Sequence, residues 1–433
     1  MSGRVVVIGA GVAGLAAAWS ARRAGREVTL VSTGAGASAL GGGAVDDVPW
    51  DQLLRAGRVL GDLAPSAARP LSPETEAFVS DLGLWEVPAT ERSWVATVAG
   101  RLRPARGRDR ALLDLGRLEG ALVILPRADR AGWDADAIAA ALSGASFARA
   151  RSLAFRAVDV PVLRFEDEHR VADADLAARH DDEARLGWLA GQLRAGLAAV
   201  EGRRAGAILL GPWLGMLAPR APALSAAVGL PCGEALVGAG SPAGLRFEAA
   251  RDRLLDAIGV ERVRRRAIRV AAREGGAVAE GALAVSLAGH DGGDPHTPGP
   301  AGDEAALFAD TVVLAIGGLA AGGVVYAPPE REARTELPPG GKVPFALSLE
   351  APVVLSAGGP EPMGIVASMH GPELDVRAWP LPGRESALER VGVRCAGMRA
   401  GDRIYAAGDV VAGRPRTVLE AVAGGLAAGT LTR

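Results

Sequence analysis

Apolar runs separated by glycine turns predict a β-α-β unit at the start of the chain. Residues 4–8 (RVVVI) predict a buried strand, residues 15–24 an Ala-rich helix, and residues 27–31 (EVTLV) a second strand. The turn between the first strand and the helix reads GAGVAG and occupies residues 9–14. This pattern indicates an α/β fold that opens with two parallel strands.

The glycine turn predicts a binding site for a dinucleotide. In such turns the first glycine (Gly9) permits the tight turn, the second (Gly11) lets backbone approach a pyrophosphate, and the third (Gly14) lets the helix pack on the strand. Backbone N–H groups at the start of the helix, here those of Val12 and Ala13, favour negative charge together with the helix dipole. A glycine-rich turn in an unrelated fold is the alternative interpretation, because GxGxxG alone is a weak signal.

Two later segments repeat the strand-then-glycine pattern. Residues 310–318 (DTVVLAIGG) predict a buried strand that ends in two glycines. Residues 403–413 (RIYAAGDVVAG) predict a strand and a Gly-Asp turn, and a helix follows from about residue 418. Ahead of both, residues 260–272 and 278–287 alternate like the strands of a small sheet.

The middle of the chain carries no nucleotide signature and is predicted to form a cap. Residues 121–125 and 207–210 predict strands, and residues 134–142 and 173–200 predict Ala-rich helices. The predicted fold class is α/β, with a Rossmann-like domain (a central parallel sheet plus a small antiparallel sheet) and an inserted α+β cap domain. The nucleotide-binding domain is predicted at residues 1–115, 226–329 and 386–433, and the cap or substrate domain at residues 116–225 and 330–385.

The composition argues against several kinds of binding site. A formal net charge of −2 over 433 residues argues against nucleic-acid binding. The two cysteines form no CxxC, and the five histidines show no HxxxH or HxH spacing, so neither an iron–sulfur cluster nor a metal site is expected. No run reaches the roughly 20 apolar residues of a spanning helix, and the nearest, residues 312–327, is broken by four glycines. We therefore expect a cytoplasmic chain.

The three strand-and-glycine segments together resemble the set found in flavoproteins that bind FAD. In such folds the aspartate after the last strand, here Asp409, accepts a hydrogen bond from the ribityl chain, although a simple turn aspartate is the alternative. The helix that follows points its positive end at the flavin and stabilises the anionic reduced form. The small residues predicted to approach the cofactor are Ala315, Gly317, Gly408, Gly424 and Gly425.

The chain resembles the fumarate reductase and succinate dehydrogenase flavoprotein superfamily, and its finer motifs are similar to the B-type subunit of anaerobic glycerol-3-phosphate dehydrogenase. These motifs occur in order along most of the chain, at residues 31–34 (VSTG), 38–40 (SAL), 209–215 (LLGPWLG), 229–231 (GLP), 241–246 (SPAGLR), 314–318 (LAIGG) and 404–408 (IYAAG). The resemblance implies a quinone-linked activity on glycerol 3-phosphate. It also implies two partners, an A-type catalytic flavoprotein subunit and an iron–sulfur membrane-anchor subunit. Through them the chain would be held at the inner face of the cell membrane.

The chain departs from this pattern at the end of the second strand. FAD proteins usually carry an acid there for the adenosine ribose, whereas this chain has Ser32 followed by Thr33. The resembled family is commonly described as binding FMN, which needs no such acid, but the intact glycine turn favours FAD. Residues 38–43, including Ser38, Gly41 and Gly42, are predicted to run along the pyrophosphate and the flavin edge; a flexible surface loop is the alternative. Lacking a Ser-His-Thr setting, the chain is expected to bind flavin non-covalently.

Catalytic residues are harder to assign. A flavin that oxidises an alcohol needs a base for the hydroxyl proton, and a phosphorylated substrate needs arginines to hold it. His370, Arg377 and Arg416 are the candidates. Because Lys342 is the only lysine, arginine is abundant throughout the chain and gives only weak support for a substrate-binding role. For His370, an exposed loop position is the alternative.

Three functions remain open at this point. The first is a flavin-dependent subunit that oxidises glycerol 3-phosphate to dihydroxyacetone phosphate or relays its electrons. The second is a stand-alone fumarate-reductase-type flavoenzyme that acts on another small-molecule substrate. The third is a flavin-binding scaffold subunit without chemistry of its own.

Overall fold

A computed structural model describes most of the chain. The described residues are 3–48, 68–198, 204–272, 283–287, 305–318, 325–327, 347–350, 354–356, 368–369, 393, 395–411 and 413–432. They divide into two compact units, of which unit 1 comprises Met1–Ala37 with Leu255–Arg433 and unit 2 comprises Ser38–Leu254. Unit 2 is therefore a single insertion into unit 1.

The described strands are short and are numbered in chain order. They are β1 (Arg4–Ile8), β2 (Glu27–Val31), β3 (Ala44–Val45), β4 (Trp85–Glu86), β5 (Ser93–Ala96), β6 (Leu102–Ala105), β7 (Gly107–Asp109), β8 (Leu122–Pro126), β9 (Ala154–Val158), β10 (Ala205–Leu210), β11 (Cys232–Glu234), β12 (Glu261–Val263), β13 (Ala267–Ala272), β14 (Leu283–Leu287), β15 (Ala305–Ala309), β16 (Thr311–Leu314), β17 (Val325–Ala327), β18 (Leu347–Glu350), β19 (Val354–Ser356), β20 (Ser368–Met369), β21 (Arg399–Gly401) and β22 (Ile404–Ala406).

The helices lie mostly in unit 2. They are α1 (Val12–Arg23), α2 (Pro73–Leu82), α3 (Ala135–Ser143), α4 (Ser146–Ala150), α5 (Asp173–Arg179), α6 (Glu183–Ala198), α7 (Ala221–Val228), α8 (Pro242–Ala257) and α9 (Val418–Leu431). Short 3-10 turns occupy Ala37–Leu40, Leu115–Arg117, Glu166–His169 and Gly408–Val410.

The main sheet of unit 1 joins segments from both ends of the chain. Its order is β12-β2-β1-β16-β22-β21, and every pair is parallel except the last. Val6 pairs with Val312, which pairs with Ile404, and all three side chains are buried. The carboxyl ends of β1, β2, β16 and β22 therefore meet at one edge of the sheet, where ligands bind in open α/β sheets. The predicted Rossmann-like architecture is confirmed.

Unit 1 also contains a three-stranded sheet, β17-β18-β20, and a four-stranded, mostly antiparallel sheet. The order of the four-stranded sheet is β15-β14-β13-β19, with β13, β14 and β15 paired antiparallel. Val270 and Val285 alternate inward from it and share one hydrophobic core with Val6, Ile8 and Val312 of the main sheet. β13 and β14 lie in the residues predicted to form a small sheet, whereas β12, from the same predicted segment, pairs with β2 in the main sheet.

Unit 2 contains a parallel sheet of its own. Its order is β11-β10-β8-β9, with all neighbours parallel. Two small antiparallel sheets, β3-β7-β4 and β5-β6, belong to the same unit. Trp94 and Leu113 pack in one core with Val123 and Ile208 of the parallel sheet. Because residues on both sides of the predicted boundaries share this core, the chain divides at residues 37/38 and 254/255. The prediction had placed the boundaries at 115/116 and 225/226.

The predicted helix at residues 173–200 is two helices. α5 ends at Arg179, and α6 begins at Glu183. The carboxylate of Asp182 accepts a hydrogen bond of 2.8 Å from the backbone N–H of Arg185, which caps the start of α6. The break falls at residues 179–183 (RHDDE), where no apolar residue continues the helical pattern.

Candidate functional site

Gly9 makes the turn after β1 in a conformation that only glycine adopts easily. Its φ is +112°, and a Cβ built on it would lie 2.1 Å from the carbonyl oxygen of Ala315. Its N–H donates to the carbonyl of Val31 at 2.8 Å, and the N–H of Ala315 donates to Ile8 at the same distance. The turn is thus held between the ends of β2 and β16, and Gly9 makes the tight turn that the sequence predicted.

The start of α1 fits a diphosphate. Gly11 is the N-cap in extended conformation, makes no side-chain capping bond, and is followed by a first turn without an acidic residue. Val12 and Ala13 begin the helix, and this turn carries no side chain longer than a valine. A Cβ on Gly14 would lie 1.9 Å from the carbonyl oxygen of Gly9, so glycine is required for the helix to approach the strand. The positive end of a 12-residue helix therefore faces a cradle built from small residues.

Ser32 and Thr33 follow β2 at the same edge of the sheet. The N–H of Ser32 donates to the carbonyl of Val263 at 3.1 Å, which fixes the backbone and leaves the hydroxyl as the polar group of this position. Gly36 lies beside the turn, since a Cβ on it would be 3.7 Å from the Cα of Gly11. A hydroxyl without charge assistance stands where an acid usually binds the ribose.

The end of β16 reaches the C-terminal turn. Ala315 contacts the glycine turn as described, and Gly317 has φ +80°. A Cβ on Gly318 would lie 3.1 Å from the Cβ of Asp409 and 3.6 Å from Nη1 of Arg416. Asp409 and Arg416 are therefore both neighbours of the double glycine predicted from the strand pattern.

Asp409 is a half-buried carboxyl close to the cation of Arg416. It lies in the 3-10 turn after β22, next to Gly408, which has φ +76° and comes close to Ala13. Burial raises the pKa of Asp409, and the positive charge of Arg416 opposes that rise. The sequence assigned Arg416 to catalysis, but it did not anticipate that its charge acts on Asp409.

Gly424 and Gly425 lie inside α9 rather than at its start. The helix begins at Val418, and the hydroxyl of its N-cap Thr417 accepts a hydrogen bond of 3.2 Å from the N–H of Glu420. A Cβ on Gly425 would lie 2.2 Å from the carbonyl oxygen of Ala13, so this glycine lets α9 pack on α1. Gly424 has room, with Gly408 N as the nearest atom at 3.6 Å. The helix start predicted to point at the flavin is thus six residues before Gly424.

Residues 38–43 belong to unit 2 and make specific backbone contacts there. We call them the glycine loop. A Cβ on Gly42 would lie 2.0 Å from the carbonyl oxygen of Val237, and Gly41 accepts a hydrogen bond through its carbonyl from Ser241 Oγ at 3.3 Å. Ser38 lies in the 3-10 turn Ala37–Leu40. These contacts hold the backbone of Gly41 and Gly42, whereas Leu40 and Gly41 are exposed.

Two predicted catalytic residues have no described position. His370 and Arg377 lie outside the described residues. Of the described residues, no three His, Cys, Asp or Glu side chains are grouped so that they could hold a metal ion. Over the same part of the chain, no helix has the length and apolar character needed to cross a membrane.

Comparison with known proteins finds a family match at the start of the chain. Residues 4–51 match the sequence family described as an FAD binding domain. The match covers β1, the glycine turn, α1, β2 and the glycine loop. The cofactor is FAD, which confirms the prediction of FAD over FMN.

Comparison of whole chains gives no information about activity. No curated protein sequence matches this chain. Solved structures that resemble it include an open conformation of a flavocytochrome c3 fumarate reductase (14% identity over 73% of this chain and 34% of that chain, TM-score 0.23). A second is a 3-ketosteroid delta1-dehydrogenase from Sterolibacterium denitrificans (15% identity over 73% of this chain and 48% of that chain, TM-score 0.27). A third is CabE, an aromatic hydroxylase from angucycline biosynthesis (13% identity over 100% of this chain and 63% of that chain, TM-score 0.31). The chain spans about a third to two thirds of the length of these structures, and we draw no activity from them.

Proposed function

We propose that the chain is an FAD-dependent oxidoreductase subunit of the glycerol-3-phosphate dehydrogenase type. The observation that supports this best is the meeting of four strand ends, β1, β2, β16 and β22, at one sheet edge lined with small residues. Bound FAD would supply a hydride acceptor for oxidation of an alcohol and a store for two electrons. The order of the family-like motifs along the sequence supports the finer assignment.

The chain's own residues would bind and orient this cofactor. The glycine turn and the N-terminus of α1 hold the diphosphate, and the hydroxyls of Ser32 and Thr33 contact the adenosine ribose. Asp409 accepts hydrogen bonds from the ribityl hydroxyls, and its ionised carboxylate accepts them more strongly than a neutral carboxyl would. Arg416 favours that ionised form against the effect of burial on the pKa of Asp409. The glycine loop contributes further backbone N–H groups.

The substrate assignment rests on the resemblance and on chemistry. Glycerol 3-phosphate needs a base at its hydroxyl and cations at its phosphate, and His370 and Arg377 are proposed for these roles. Electrons would leave through an iron–sulfur partner, with the A-type catalytic flavoprotein as the second partner. The chain would work in the cytoplasm, at the membrane surface when bound to them.

Two measurements test the proposal in sequence. The purified chain is expected to be yellow, with non-covalently bound FAD identified by mass after denaturation; a chain that stays colourless after incubation with FAD would refute cofactor binding. Glycerol 3-phosphate is then added under anaerobic conditions to the chain alone and to the chain with its A-type partner. Bleaching of the flavin absorbance supports the proposed substrate. Bleaching only by dithionite would instead support the scaffold alternative, and bleaching by another donor would support the stand-alone enzyme.

A further inference from the structure

The motif at residues 241–246 (SPAGLR) organises the glycine loop within unit 2. α8 begins at Pro242, directly after Ser241, whose hydroxyl donates to the carbonyl of Gly41 at 3.3 Å. Two residues further, a Cβ on Gly244 would lie 1.8 Å from the carbonyl oxygen of Ala39. The first turn of α8 therefore lies directly against the glycine loop, at a distance that only glycine permits.

The other side of the glycine loop is held by β7. The N–H of Asp109 donates to the carbonyl of Gly43 at 2.6 Å, and a Cβ on Gly43 would lie 3.0 Å from the Cβ of Asp109. Gly43 itself has φ +97°, a conformation that other residues rarely adopt. The loop thus ends between Asp109 and the start of α8.

Arg246 connects these two supports. Its side chain is 0% exposed, and its Nε donates to the carboxylate of Asp109 at 2.8 Å. Its Nη2 donates to the carboxylate of Glu234 at 2.7 Å, and its Nη1 donates to the carbonyl of Gly215 at 2.5 Å. All three nitrogens of the guanidinium are therefore engaged, and one planar group fixes α8 to β7, to β11 and to the loop after β10. A lysine has a single ammonium and cannot make this set of contacts.

The carboxylates are fixed in turn. The second oxygen of Asp109 accepts a hydrogen bond from the N–H of Ala111 at 2.8 Å, and Glu234 accepts one from the N–H of Leu214. Because every member is buried and hydrogen-bonded, the cluster has one low-energy arrangement. A displacement of Arg246 must move Asp109 or α8, and both contact the glycine loop.

We propose that Arg246 is a positioning residue for FAD, which holds the backbone of the glycine loop in its cofactor-binding conformation through Asp109 and the first turn of α8. The inference rests on the proposed function, in which this loop contacts FAD. A loop that is ordered before binding loses little conformational entropy when the cofactor binds, so its rigidity contributes to affinity.

The test compares two buried arginines of unit 2. Arg185 is also buried and donates to a buried carboxylate, that of Glu168, at 2.8 Å, yet it lies on α6 and none of its described hydrogen bonds reaches the glycine loop. Arg246→Lys and Arg185→Lys are made in the full chain, the cofactor is removed, and the dissociation constant for added FAD is measured by quenching of flavin fluorescence. The visible circular dichroism of bound FAD and the melting temperature are recorded for each.

We expect both variants to melt at lower temperature but only Arg246→Lys to bind FAD at least about tenfold more weakly, with an altered visible dichroism. Equal loss of affinity in both variants, or normal affinity and dichroism in Arg246→Lys, would overturn the inference. If the unsubstituted chain binds no FAD, the proposed function itself fails, which is a distinct result.

A second variant covers the case in which Arg246→Lys does not fold. Gly244→Ala leaves the Arg246 ion pairs in place and pushes on the carbonyl of Ala39. It is expected to weaken FAD binding by a similar factor. Its control is Gly238→Ala, at a glycine in the same unit whose added Cβ would have no atom within 4 Å. Unchanged affinity in Gly244→Ala would overturn the inference by this second route.

Discussion

Two adjacent glycines of α9 should respond in opposite directions to the same substitution. A Cβ on Gly425 would lie 2.2 Å from the carbonyl oxygen of Ala13 and 2.9 Å from the Cβ of Ala16, both on α1. A Cβ on Gly424 would lie 3.6 Å from its nearest neighbour, which is an ordinary contact. Gly425→Ala must therefore separate the two helices, whereas Gly424→Ala fits without movement.

The magnitudes follow from two opposing terms. Alanine in place of a helical glycine stabilises the helix by about 1 kcal/mol. An added methyl group in a packed interface costs roughly 1–3 kcal/mol, and the upper part of that range applies when backbone rather than a flexible side chain must move. We expect Gly424→Ala to stabilise unit 1 by up to about 1 kcal/mol, since only the helix term acts. Gly425→Ala should destabilise it by about 1–2 kcal/mol, the difference between the two terms.

Thermal unfolding of the FAD-free chain, followed by far-ultraviolet circular dichroism, measures both effects. Each kcal/mol corresponds to a shift of roughly 2–4 °C for a unit of this size. The two variants serve as controls for each other, because position in the helix and the chemical change are the same. If both variants raise the melting temperature, the close packing of α9 on α1 is wrong. If both lower it, the open space at Gly424 is wrong.

Three further predictions address the cofactor and pH. Gly9→Ala places a methyl group against Ala315 and forces φ +112° on an L-residue, so FAD should bind at least about tenfold more weakly by fluorescence titration, a loss of about 1.4 kcal/mol. Asp409→Asn should weaken FAD binding by about tenfold or more through loss of a charge-assisted hydrogen bond, whereas the same change at the exposed Asp402 should have no effect. Burial lowers the pKa of His180 to about 4. Since its unfolded pKa is about 6.5, the folded state excludes the proton, and stability should fall by about 3 kcal/mol as pH drops from about 6.5 to 4. This loss should be absent from His180→Asn in acid titrations of stability.

The nucleotide-binding half of the fold could be predicted because its signals are local. Residues 4–31 contain a strand, a turn, a helix and a strand within one short window, and each glycine has its reason in the immediate neighbourhood. Gly408 and Asp409, near the C-terminus, were predicted as site residues because the strand-and-glycine segments together resemble those of FAD-binding flavoproteins. The structure pairs β1 with β16 and β16 with β22 in parallel.

The remaining features depend on contacts that no local pattern contains. Asp109, Glu234 and Arg246 are separated by more than a hundred residues at the widest, and in a chain whose cations are almost all arginine nothing marks Arg246 as different. Gly425 could be read equally as a flavin contact or as a packing residue, because both need a missing side chain. The domain boundaries were misplaced because strands β3 to β7 pair among themselves, and because residues from Trp94 to Leu115 share a core with residues of the later parallel sheet.

The packing of α9 also joins two regions of the proposed cofactor site. Ala13, whose carbonyl lies against Gly425, belongs to the first turn of α1, and its Cβ would lie 2.7 Å from a Cβ on Gly408. The helix that follows the Gly-Asp turn therefore packs on the first turn of α1, which we propose holds the diphosphate. Separation of α9 from α1 in Gly425→Ala should disturb Ala13 and Gly408 together, so FAD affinity should fall along with stability. Gly424→Ala should change neither contact, and a loss of FAD affinity in that variant alone would indicate that Gly424 contacts the cofactor directly.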